Sequence, residues 1–452
     1  MQLYKRQHYY LYRLYSAGMH RLRRRTTKTA WMLLIGITIT AAFGVDTNLS
    51  VAYQLFTLLF TLLLVASVST FFCRVKFSAH RILPKFGSVG ERMDYKIVLK
   101  NETRRTQHGL GILDEAPDPR PSLREFLETP EPGEEKRNFY DRMNAWYRWQ
   151  WLTDQNVRAT IKEQAVPPLT PEVATEMHCE LVPLKRGYFR LAAITLTCPD
   201  PFGVFRALRK VPSEQSILIL PKRYLLPPIE LPGKSQYQQG GVAMASSVGQ
   251  SEEFVSLRDY RAGDPMRHIH WKSWAKTGRP IVKEFQDEFF VRHALILDTF
   301  WPTLHSDIFE EAVSVAASFA YTIQTRDSLL DLLFVGAQAY CFTSGRGVGQ
   351  AEQMLEILAC VQICQDKRFS SLQQLVLEHA SSVSGCICIL LAWDEERKQF
   401  VQRLKIAGTP VKVFVVVPAE SKEKFELGPM ANEPENFHVL ETGKIAQTLG
   451  AL

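Results

Sequence analysis

Two long apolar segments near the start of the chain restrict its architecture more than any other feature. Ala30 to Val45 is apolar, Asp46 to Ser50 is a short polar break, and Val51 to Cys73 is apolar again with no charged residue. A helix needs about 20 apolar residues to cross the hydrocarbon core of a bilayer. The second segment has that length, and the first reaches it only with flanking residues such as Thr29. The sequence therefore predicts a transmembrane helical hairpin over residues 29–73.

Positive charge lies on both outer sides of this hairpin. Residues 1–28 hold eight lysines and arginines and no acidic residue, and Arg74, Lys76, Arg81 and Lys85 follow the second segment. Cytoplasmic segments next to membrane helices are enriched in such charge. We therefore expect a basic cytoplasmic arm over residues 1–28, both chain ends in the cytoplasm, and a multi-pass protein of the inner membrane. A cleaved signal peptide is the alternative for the first segment, and nucleic-acid binding is an alternative role for the arm.

Residues 74–221 carry the pattern of an all-β sandwich domain. Residues 95–100 alternate between apolar and polar side chains, and further strands are expected at 109–113, 180–184, 188–196, 205–211 and 217–220, with Pro212 as a break. An insert at 115–175 interrupts this pattern with a cluster of tyrosine and tryptophan residues that fits either a helix or a strand. We expect the insert to pack over the sandwich, with partner docking or a membrane-interface anchor as the alternatives.

From residue 289 to residue 452 apolar strand-like runs alternate with amphipathic runs of helical period. Strands are expected at 291–297, 329–335, 339–343, 386–392 and 411–417, and helices at 307–325, 348–365, 370–380 and 395–406. This alternation predicts an α/β domain with a parallel sheet and helices on both faces. Asp298 and Asp394 then fall beyond the carboxyl ends of strands, where such sheets bind ligands.

Between these regions lies a segment of linker and signature motif, 222–288, whose residues 251–285 mix charged, aromatic and aliphatic side chains at almost every second position. Gly263 suits a positive φ, Asp264 suits a helix N-cap, and Pro265 suits a first helical turn. We expect a helix from Pro265 to about Lys276 that Gly278 ends. The segment is either a polar brace between domains or a partner-binding surface, since clusters of paired charges serve both purposes.

The signature motif contains Glu253-Phe254, Leu257-Arg258, Tyr260, Gly263-Asp264, Arg267, Ile269, Trp271, Ala275-Lys276 and Val282-Lys283-Glu284. This pattern resembles the signature of the bacterial family called domain of unknown function 58. Trp274 differs from the family pattern, in which a small residue is expected. The candidate partner-binding or interdomain residues are Glu253, Phe254, Arg258, Tyr260, Gly263, Asp264, Arg267, Trp271, Lys276, Lys283 and Glu284. The resemblance implies a multi-domain protein with a transmembrane hairpin, an Ig-like β-sandwich and a von Willebrand factor A-like (Rossmann-type) domain. It also implies association with a MoxR-type AAA+ ATPase and with a transglutaminase-like membrane protein.

Von Willebrand factor A-like metal sites follow the pattern Asp-x-Ser-x-Ser after the first strand, and this chain departs from that pattern. The residues are Asp298-Thr299-Phe300-Trp301-Pro302, so neither serine position carries a hydroxyl that would hold a hard cation. Asp298 and Asp394 remain a degenerate candidate pair, and we expect no metal or other cofactor. The Gly-rich run 344–349 fits a phosphate-binding loop or a simple β-to-α turn. The eight cysteines are expected to be free thiols, with a disulfide or zinc site at Cys360/Cys364 or Cys386/Cys388 as the alternative.

We therefore expect a membrane-anchored, non-enzymatic scaffold that recruits protein partners, such as a MoxR-type AAA+ ATPase, for the assembly or maturation of protein complexes. No nucleophile elbow, phosphate-binding P-loop or zinc-protease motif is present in the sequence. The alternative is a metal-dependent enzyme or a ligand-binding adhesion-type module that uses Asp298 and Asp394.

Overall fold

The computed structural model of the chain describes residues 2–43, 50–72, 75–227, 254–264, 266–285, 292–303, 306–324, 329–344, 348–419 and 426–451. The chain divides into two compact units. One consists of Met1–Lys222 with Glu356–Val361, and the other of Arg223–Leu355 with Gln362–Leu452. Most of the predicted linker, residues 228–250, and the glycines at 345 and 347 lie outside the described residues.

Three helices begin the first unit, namely α1 (Gln2–Arg25), α2 (Lys28–Phe43) and α3 (Ser50–Ser69), which a 3₁₀ turn at Thr70–Phe72 extends. Within the described residues, one helix, Val51–Phe72, is long and apolar enough to cross a membrane. At 1.5 Å per residue, the 16 residues of α2 span about 24 Å, which is less than the roughly 30 Å of a hydrocarbon core. The prediction of two membrane-spanning helices is therefore supported for the second helix alone.

The basic arm is not a free segment, because it forms α1 and packs against the aromatic insert. The insert is helical, with α4 (Leu123–Glu128), α5 (Phe139–Asn144) and α6 (Trp146–Asn156). Tyr9 and Tyr12 of α1 are buried with Phe126, Trp149 and Leu152 in one cluster. The sequence predicts that the insert packs over the sandwich, but its buried aromatic residues pack against α1, which the sequence did not indicate as a partner.

Ion pairs reinforce the contact between α1 and the insert. Glu134 accepts hydrogen bonds from Arg148 Nε at 2.7 Å and from Lys5 Nζ at 3.2 Å. The hydroxyl of Tyr9 donates to the carbonyl oxygen of Pro121 at 3.2 Å. Because a buried hydroxyl without a partner costs free energy, this bond allows Tyr9 to be almost fully buried.

Nine strands form two sheets around a shared core. They are β1 (Phe77–Ile82), β2 (Phe86–Ser88), β3 (Met93–Asn101), β4 (Gly111–Glu115), β5 (Ala159–Ile161), β6 (Gln164–Ala165), β7 (Ala174–Pro183), β8 (Gly187–Pro199) and β9 (Arg206–Leu220). The sheet orders are β1-β3-β7-β5 and β2-β9-β8-β4-β6. Apolar side chains from both sheets meet in one buried cluster. These residues form the predicted β-sandwich, whereas the Ig-like designation stays a prediction.

The strand patterns explain both the correct and the wrong expectations in this region. In β3 every second side chain is buried, as the period-two pattern predicted. The expected break at Pro212 is wrong, because β9 runs through it as a single strand. Pro212 pairs with Ala193 beside a register shift between Leu191 and Ala193 in β8. A proline fits at such an irregularity, where no ladder hydrogen bond from its nitrogen is needed.

The turn from Asp200 to Phe205 attaches the sandwich to the junction between α1 and α2. Asp200 Oδ1 accepts the N–H of Phe205 at 2.8 Å, and Gly203 has a φ of 66°. This conformation presents the carbonyl oxygen of Val204 to the N–H and the hydroxyl of Thr27, at 3.1 and 2.9 Å. The Val204 side chain is buried with Ala30 and Ala66. The turn is thus a docking element in addition to a hairpin corner.

In the second unit a two-stranded hairpin precedes a six-stranded sheet. The hairpin consists of β10 (Phe254–Asp259) and β11 (Ile281–Phe285), with α7 (Trp271–Thr277) between them. The strands of the sheet are β12 (Arg292–Leu297), β13 (Leu329–Val335), β14 (Ala339–Ser344), β15 (Gly385–Leu390), β16 (Val411–Val417) and β17 (Phe437–Glu441). The helices are α8 (Asp307–Gln324), α9 (Val348–Cys360), α10 (Ser370–His379), α11 (Glu395–Ile406) and α12 (Ile445–Gly450).

The order of this sheet is β14-β13-β12-β15-β16-β17, and neighbouring strands are parallel except that β14 runs antiparallel to β13. Numbered from β12, the order is 3-2-1-4-5-6, which is that of doubly wound α/β sheets. The α/β prediction is confirmed at this level, with an antiparallel edge strand that it did not include. The von Willebrand factor A-like designation stays a prediction.

Helices cover both faces of the sheet. On one face Phe319 of α8 contacts Phe414 of β16, with ring centroids 5.0 Å apart. On the other face side chains of α10 and α11, including Leu372 and Phe400, are buried with Ile296 and Cys388. Since both faces are covered, the inner strands β12, β13, β15 and β16 are buried along almost their whole length and do not alternate.

Candidate functional site

The signature motif forms a small hairpin module with its own apolar contact. β10 pairs antiparallel with β11, so that Arg258 lies opposite Val282. Ile269 forms a bridge with Val282, and both side chains are buried. The N–H of His270 donates to the carbonyl oxygen of Ile281 at 2.8 Å, which fixes the start of α7 beside β11.

A bidentate ion pair between Arg258 and Asp264 closes the loop of this module. Arg258 Nη1 and Nη2 donate to Asp264 Oδ2 and Oδ1 at 2.7 and 2.8 Å. Asp264 Oδ2 also accepts the N–H of Arg261 at 2.8 Å. The hydrogen bonds from Arg258 and from this N–H lower the pKa of Asp264 to about 2. Gly263, at a φ of 108°, makes the reversal that brings the carboxylate back to the strand.

The expected helix from Pro265 to Lys276 is shorter in the structure, and Asp264 does not cap it. A 3₁₀ turn covers Met266–His268, and α7 begins at Trp271. The intervening His270 is non-helical because its N–H is used by β11. Its Nδ1 lies 2.6 Å from Ser273 Oγ in the first turn of α7. The predicted end at Gly278 is confirmed, since Gly278 has a φ of 71° and donates its N–H to Trp274 O at 2.9 Å. Pro265 lies outside the described residues.

Several side chains of the module point to solvent. Arg267, Lys272 and Lys276 are exposed, and Trp271 retains 62% of its accessible surface. Trp274, the residue that departs from the family pattern, stacks on Trp271 with ring centroids 5.2 Å apart. The module therefore presents cationic and aromatic groups together, which is the composition enriched in protein interfaces.

The remaining predicted residues of the motif divide into two groups. Tyr260 is exposed and Lys283 is half-buried in β11. Phe254 and Glu284 lie in the paired strands, but their side chains are outside the description, and Glu253 is outside the described residues altogether. The predicted residues thus have two different roles in the structure. Arg258, Gly263 and Asp264 close the loop of the module, whereas Arg267, Trp271 and Lys276 are exposed to solvent.

The second predicted feature lies at the carboxyl edge of the six-stranded sheet, where β12 and β15 are adjacent and the strand order reverses. The fully buried carboxylate of Asp298 accepts hydrogen bonds from Arg397 Nε at 2.7 Å and from the N–H groups of Phe300 and Leu391 at 2.9 and 3.2 Å. Arg397 Nη1 donates to Asp394 Oδ2 at 2.5 Å. One guanidinium therefore bridges the two aspartates that the sequence singled out.

The surroundings of Arg397 shield this bridge from solvent. The guanidinium is buried, lies 4.8 Å from the centroid of the Phe369 ring, and donates to Phe300 O at 3.3 Å. Burial raises the pKa of Asp298, and the guanidinium and the two backbone N–H groups oppose this rise. Asp394 also caps α11 by accepting the N–H of Arg397 at 3.1 Å, as expected for a capping aspartate.

These residues do not fit a divalent cation. Both oxygens of Asp298 already accept hydrogen bonds, and the nearest positive charge is a guanidinium that would repel a metal ion. Phe300 has no side-chain oxygen, and its carbonyl oxygen already accepts a hydrogen bond from Arg397. The hydroxyl of Thr299 donates to Val335 O rather than toward Asp298. In the part of the chain that the structure describes, no group of three or more His, Cys, Asp or Glu side chains is placed to hold a metal.

Arg397 is the residue that the sequence analysis missed. A cation in the first turn of a helix faces the positive end of the helix dipole, so it is unfavourable unless it has an acidic partner. Asp394 at i−3 is one such partner, and the buried Asp298, 99 residues earlier, is the other. The misplaced cation was therefore a signal in the sequence that a buried carboxylate lies nearby.

Comparison with known proteins finds a family match in the second unit. Residues 256–424 match the family model described as "Protein of unknown function DUF58". Residues 256–424 of this chain therefore belong to the DUF58 family. The match includes most of the hairpin module and the edge that holds Asp298, Asp394 and Arg397, so the family resemblance seen in the signature motif is confirmed.

A curated relative supports the same assignment of this DUF58 chain. The uncharacterized protein YeaD of Bacillus subtilis is 26% identical over 187 residues, which are 40% of this chain and 45% of that protein. The chain therefore aligns with less than half the length of this relative.

Solved β domains resemble a third of the DUF58 chain only weakly. They include the CARDB domain of the PF1109 protein from Pyrococcus furiosus, with 11% identity, coverage of 32% of this chain and 93% of that chain, and a TM-score of 0.17. A cohesin module from a Clostridium perfringens family 33 glycoside hydrolase has 12% identity, coverage of 32% and 98%, and a TM-score of 0.16. TM-scores this low do not establish a common fold.

Proposed function

We propose that this DUF58 chain is a membrane-anchored scaffold without enzymatic activity, whose hairpin module binds a protein partner. The different roles of the charged residues in the module support this proposal. Arg258 and Asp264 form an ion pair with each other, while Arg267, Trp271 and Lys276 remain exposed. An internal brace would instead be expected to bury or pair all of these groups. The exposed set suits a partner surface that is acidic and has an apolar pocket for Trp271.

We propose a MoxR-type AAA+ ATPase as this partner and a transglutaminase-like membrane protein as a further member of the assembly. The resemblance of the signature motif to its family carries this part of the proposal. The α/β unit would serve as a von Willebrand factor A-like platform for the module. Its doubly wound strand order supports that role. Such assemblies would act in the maturation of other protein complexes.

The anchor in this proposal is the apolar hairpin, with α3 as the membrane-crossing helix and α2 packed along it. We place the protein in the bacterial inner membrane, with both soluble units in the cytoplasm. Lys76 and Lys85 are exposed after α3 and support this orientation. Arg81 contributes nothing to it, because its guanidinium is fully buried and donates to Asp114 at 2.8 and 2.6 Å.

The alternative of a metal-dependent enzyme or adhesion-type module is less well supported. It requires Asp298 and Asp394 to be available as ligands. Arg397 already bridges the two carboxylates, and Phe300 and Pro302, at the two serine positions of the metal pattern, lack side-chain oxygens.

Binding between the full-length chain and a purified MoxR-type ATPase encoded in the same genome tests the partner. Two charge reversals, Arg267→Glu with Lys276→Glu, should weaken binding roughly tenfold while the melting temperature stays nearly constant, because exposed charges contribute only about 0 to 1 kcal/mol to folding. Arg190→Glu, an exposed arginine of β8, is the matched control and should leave binding unchanged. Wild-type affinity in the double variant would show that this face is not the interface.

A further inference from the structure

A cavity of about 570 Å³ in the first unit lies where the amphipathic α1 meets the end of the membrane-crossing helix. We call it the arginine cavity. Its lining comes from three elements, namely the last two turns of α1, the end of α3 with its 3₁₀ turn, and the start of β9. Its size is within the range of sites for small molecules and cofactors, which is about 300–1,000 Å³.

Four arginines line the arginine cavity, namely Arg21 and Arg25 of α1 and Arg206 and Arg209 of β9. Arg206 also pairs with Glu163 at 2.7 Å. None of the described residues that line the cavity is acidic. Four arginine side chains around one cavity make its surroundings electropositive, so a bound anion would be favoured there. Guanidinium groups are also well suited to bidentate hydrogen bonding with phosphate oxygens.

The rest of the lining is mainly apolar and adjoins the membrane-crossing helix. Phe71 lies in the 3₁₀ turn after α3 and is 80% exposed, while Leu22 and Leu208 contribute aliphatic surface. With Val51–Phe72 crossing the bilayer as proposed above, its end and the cavity would lie at the level of the membrane interface. Basic pockets beside the ends of membrane helices are suited to anionic lipid head groups.

We propose that the arginine cavity binds the phosphate head group of an anionic glycerophospholipid, with the acyl chains lying along Phe71 and the apolar hairpin. This inference rests on the proposed membrane anchoring and is independent of the proposed protein partner. The turn from Asp200 to Phe205 fixes the start of β9 against the junction of α1 and α2, so Arg206 and Arg209 are held in place by the fold. A bound lipid would also set the distance of the sandwich from the bilayer.

Native mass spectrometry of the full-length chain in a neutral detergent tests the site with three probes, which are dioctanoyl phosphatidylglycerol, dioctanoyl phosphatidylcholine and inorganic phosphate. We expect retention of the anionic lipid over the other two. Arg21→Gln with Arg209→Gln should reduce its affinity roughly tenfold or more, given about 1 kcal/mol per basic residue near an anionic head group. Arg23→Gln with Arg104→Gln is the matched control, because both arginines are exposed and lie outside the cavity. Equal retention of phosphatidylcholine, or phosphate binding as tight as that of the anionic lipid, would overturn the assignment.

A flotation assay separates failure of this inference from failure of the anchor. The full-length chain should float with vesicles made only of phosphatidylcholine, because α3 inserts regardless of head-group charge. If it floats but native mass spectrometry shows no preference for phosphatidylglycerol, the arginine cavity is not a lipid site and the anchor stands. If it does not float, the anchor fails. In that case retention of dioctanoyl phosphatidylglycerol, lost in the double variant, would still support an anionic lipid site.

Discussion

Arg397 Nε lies 2.7 Å from Asp298 Oδ2, and this buried ion pair joins the first turn of α11 to the end of β12. The two residues are 99 positions apart in the sequence and meet at the point where the strand order of the sheet reverses. At such points doubly wound sheets usually bind ligands. In this DUF58 chain a side-chain cation occupies that position instead.

Removal of this cation should destabilise the second unit. Arg397→Ala leaves Asp298 buried without a countercharge, and breaking a buried pair in this way costs about 3–5 kcal/mol. Arg403→Ala, which removes an exposed arginine from the same helix, should change the free energy of unfolding by less than about 0.5 kcal/mol. Denaturant unfolding of the full-length variants, followed by tryptophan fluorescence, measures both changes. A cost below about 1 kcal/mol for Arg397→Ala would mean that solvent reaches Asp298.

The same pair leads to a prediction about divalent cations. Titration of the full-length chain with Mg²⁺ should show no saturable binding in the micromolar range, because Phe300 and Pro302 replace the two hydroxyl ligands and Arg397 neutralises the aspartates. Isothermal titration calorimetry measures this. A micromolar affinity that disappears in Asp298→Ala would contradict the scaffold proposal and favour the metal-dependent alternative.

Elements with a strong local pattern were predictable from the sequence. The alternation over residues 95–100 identified β3, and the limits of α11, β13 and β16 agree with those predicted. One face or both faces of each of these elements are buried along its whole length. The spacing of their apolar residues therefore indicates the type of element directly. Gly278 was predictable as a helix end for a similarly local reason.

Features that depend on distant partners were not predictable in this way. The arginine-rich segment 1–28 was interpreted through its charges, but Tyr9 and Tyr12 determine its structure by packing against Trp149. The helix after Asp264 is shorter than its capping signals indicated, because β11 takes the N–H of His270. β17 was absent from the expectations, since the alternation of its short run Phe437–Glu441 is weak.

The aromatic contact between α1 and the insert should contribute strongly to the stability of the first unit. Trp149 is buried, and its ring centroid lies 5.6 Å from that of Tyr9 and 6.0 Å from that of Phe126. Trp149→Ala should cost about 3–5 kcal/mol, as is typical for a buried aromatic residue. Tyr140→Ala is the control, because Tyr140 is exposed on α5 of the same insert. Limited proteolysis should then release α1 from the Trp149 variant alone, whereas equal resistance of both variants would show that α1 is held elsewhere.

The last prediction concerns the pH dependence of the second unit, in which His438 of β17 stacks on Phe414 with ring centroids 5.1 Å apart. Burial and the nearby charge of Lys412 lower the pKa of His438 to about 4. Its Nε2 is buried and has no hydrogen-bond partner among the described residues. The imidazole is therefore neutral in the folded state over most of the range in which a free histidine becomes protonated.

The sign of the effect follows from proton linkage. Above a pH of about 6.5 His438 is neutral in both the folded and the unfolded state, so it gives no pH dependence. As the pH falls from about 6.5 toward 4, the unfolded state binds a proton that the folded state does not, and stability decreases. His438→Gln should flatten the decline in melting temperature over this window, whereas His80→Gln, at an exposed site in β1, should not. If the melting temperature of His438→Gln declined with pH as steeply as that of the wild type, the pKa of His438 in the folded state would not be lowered.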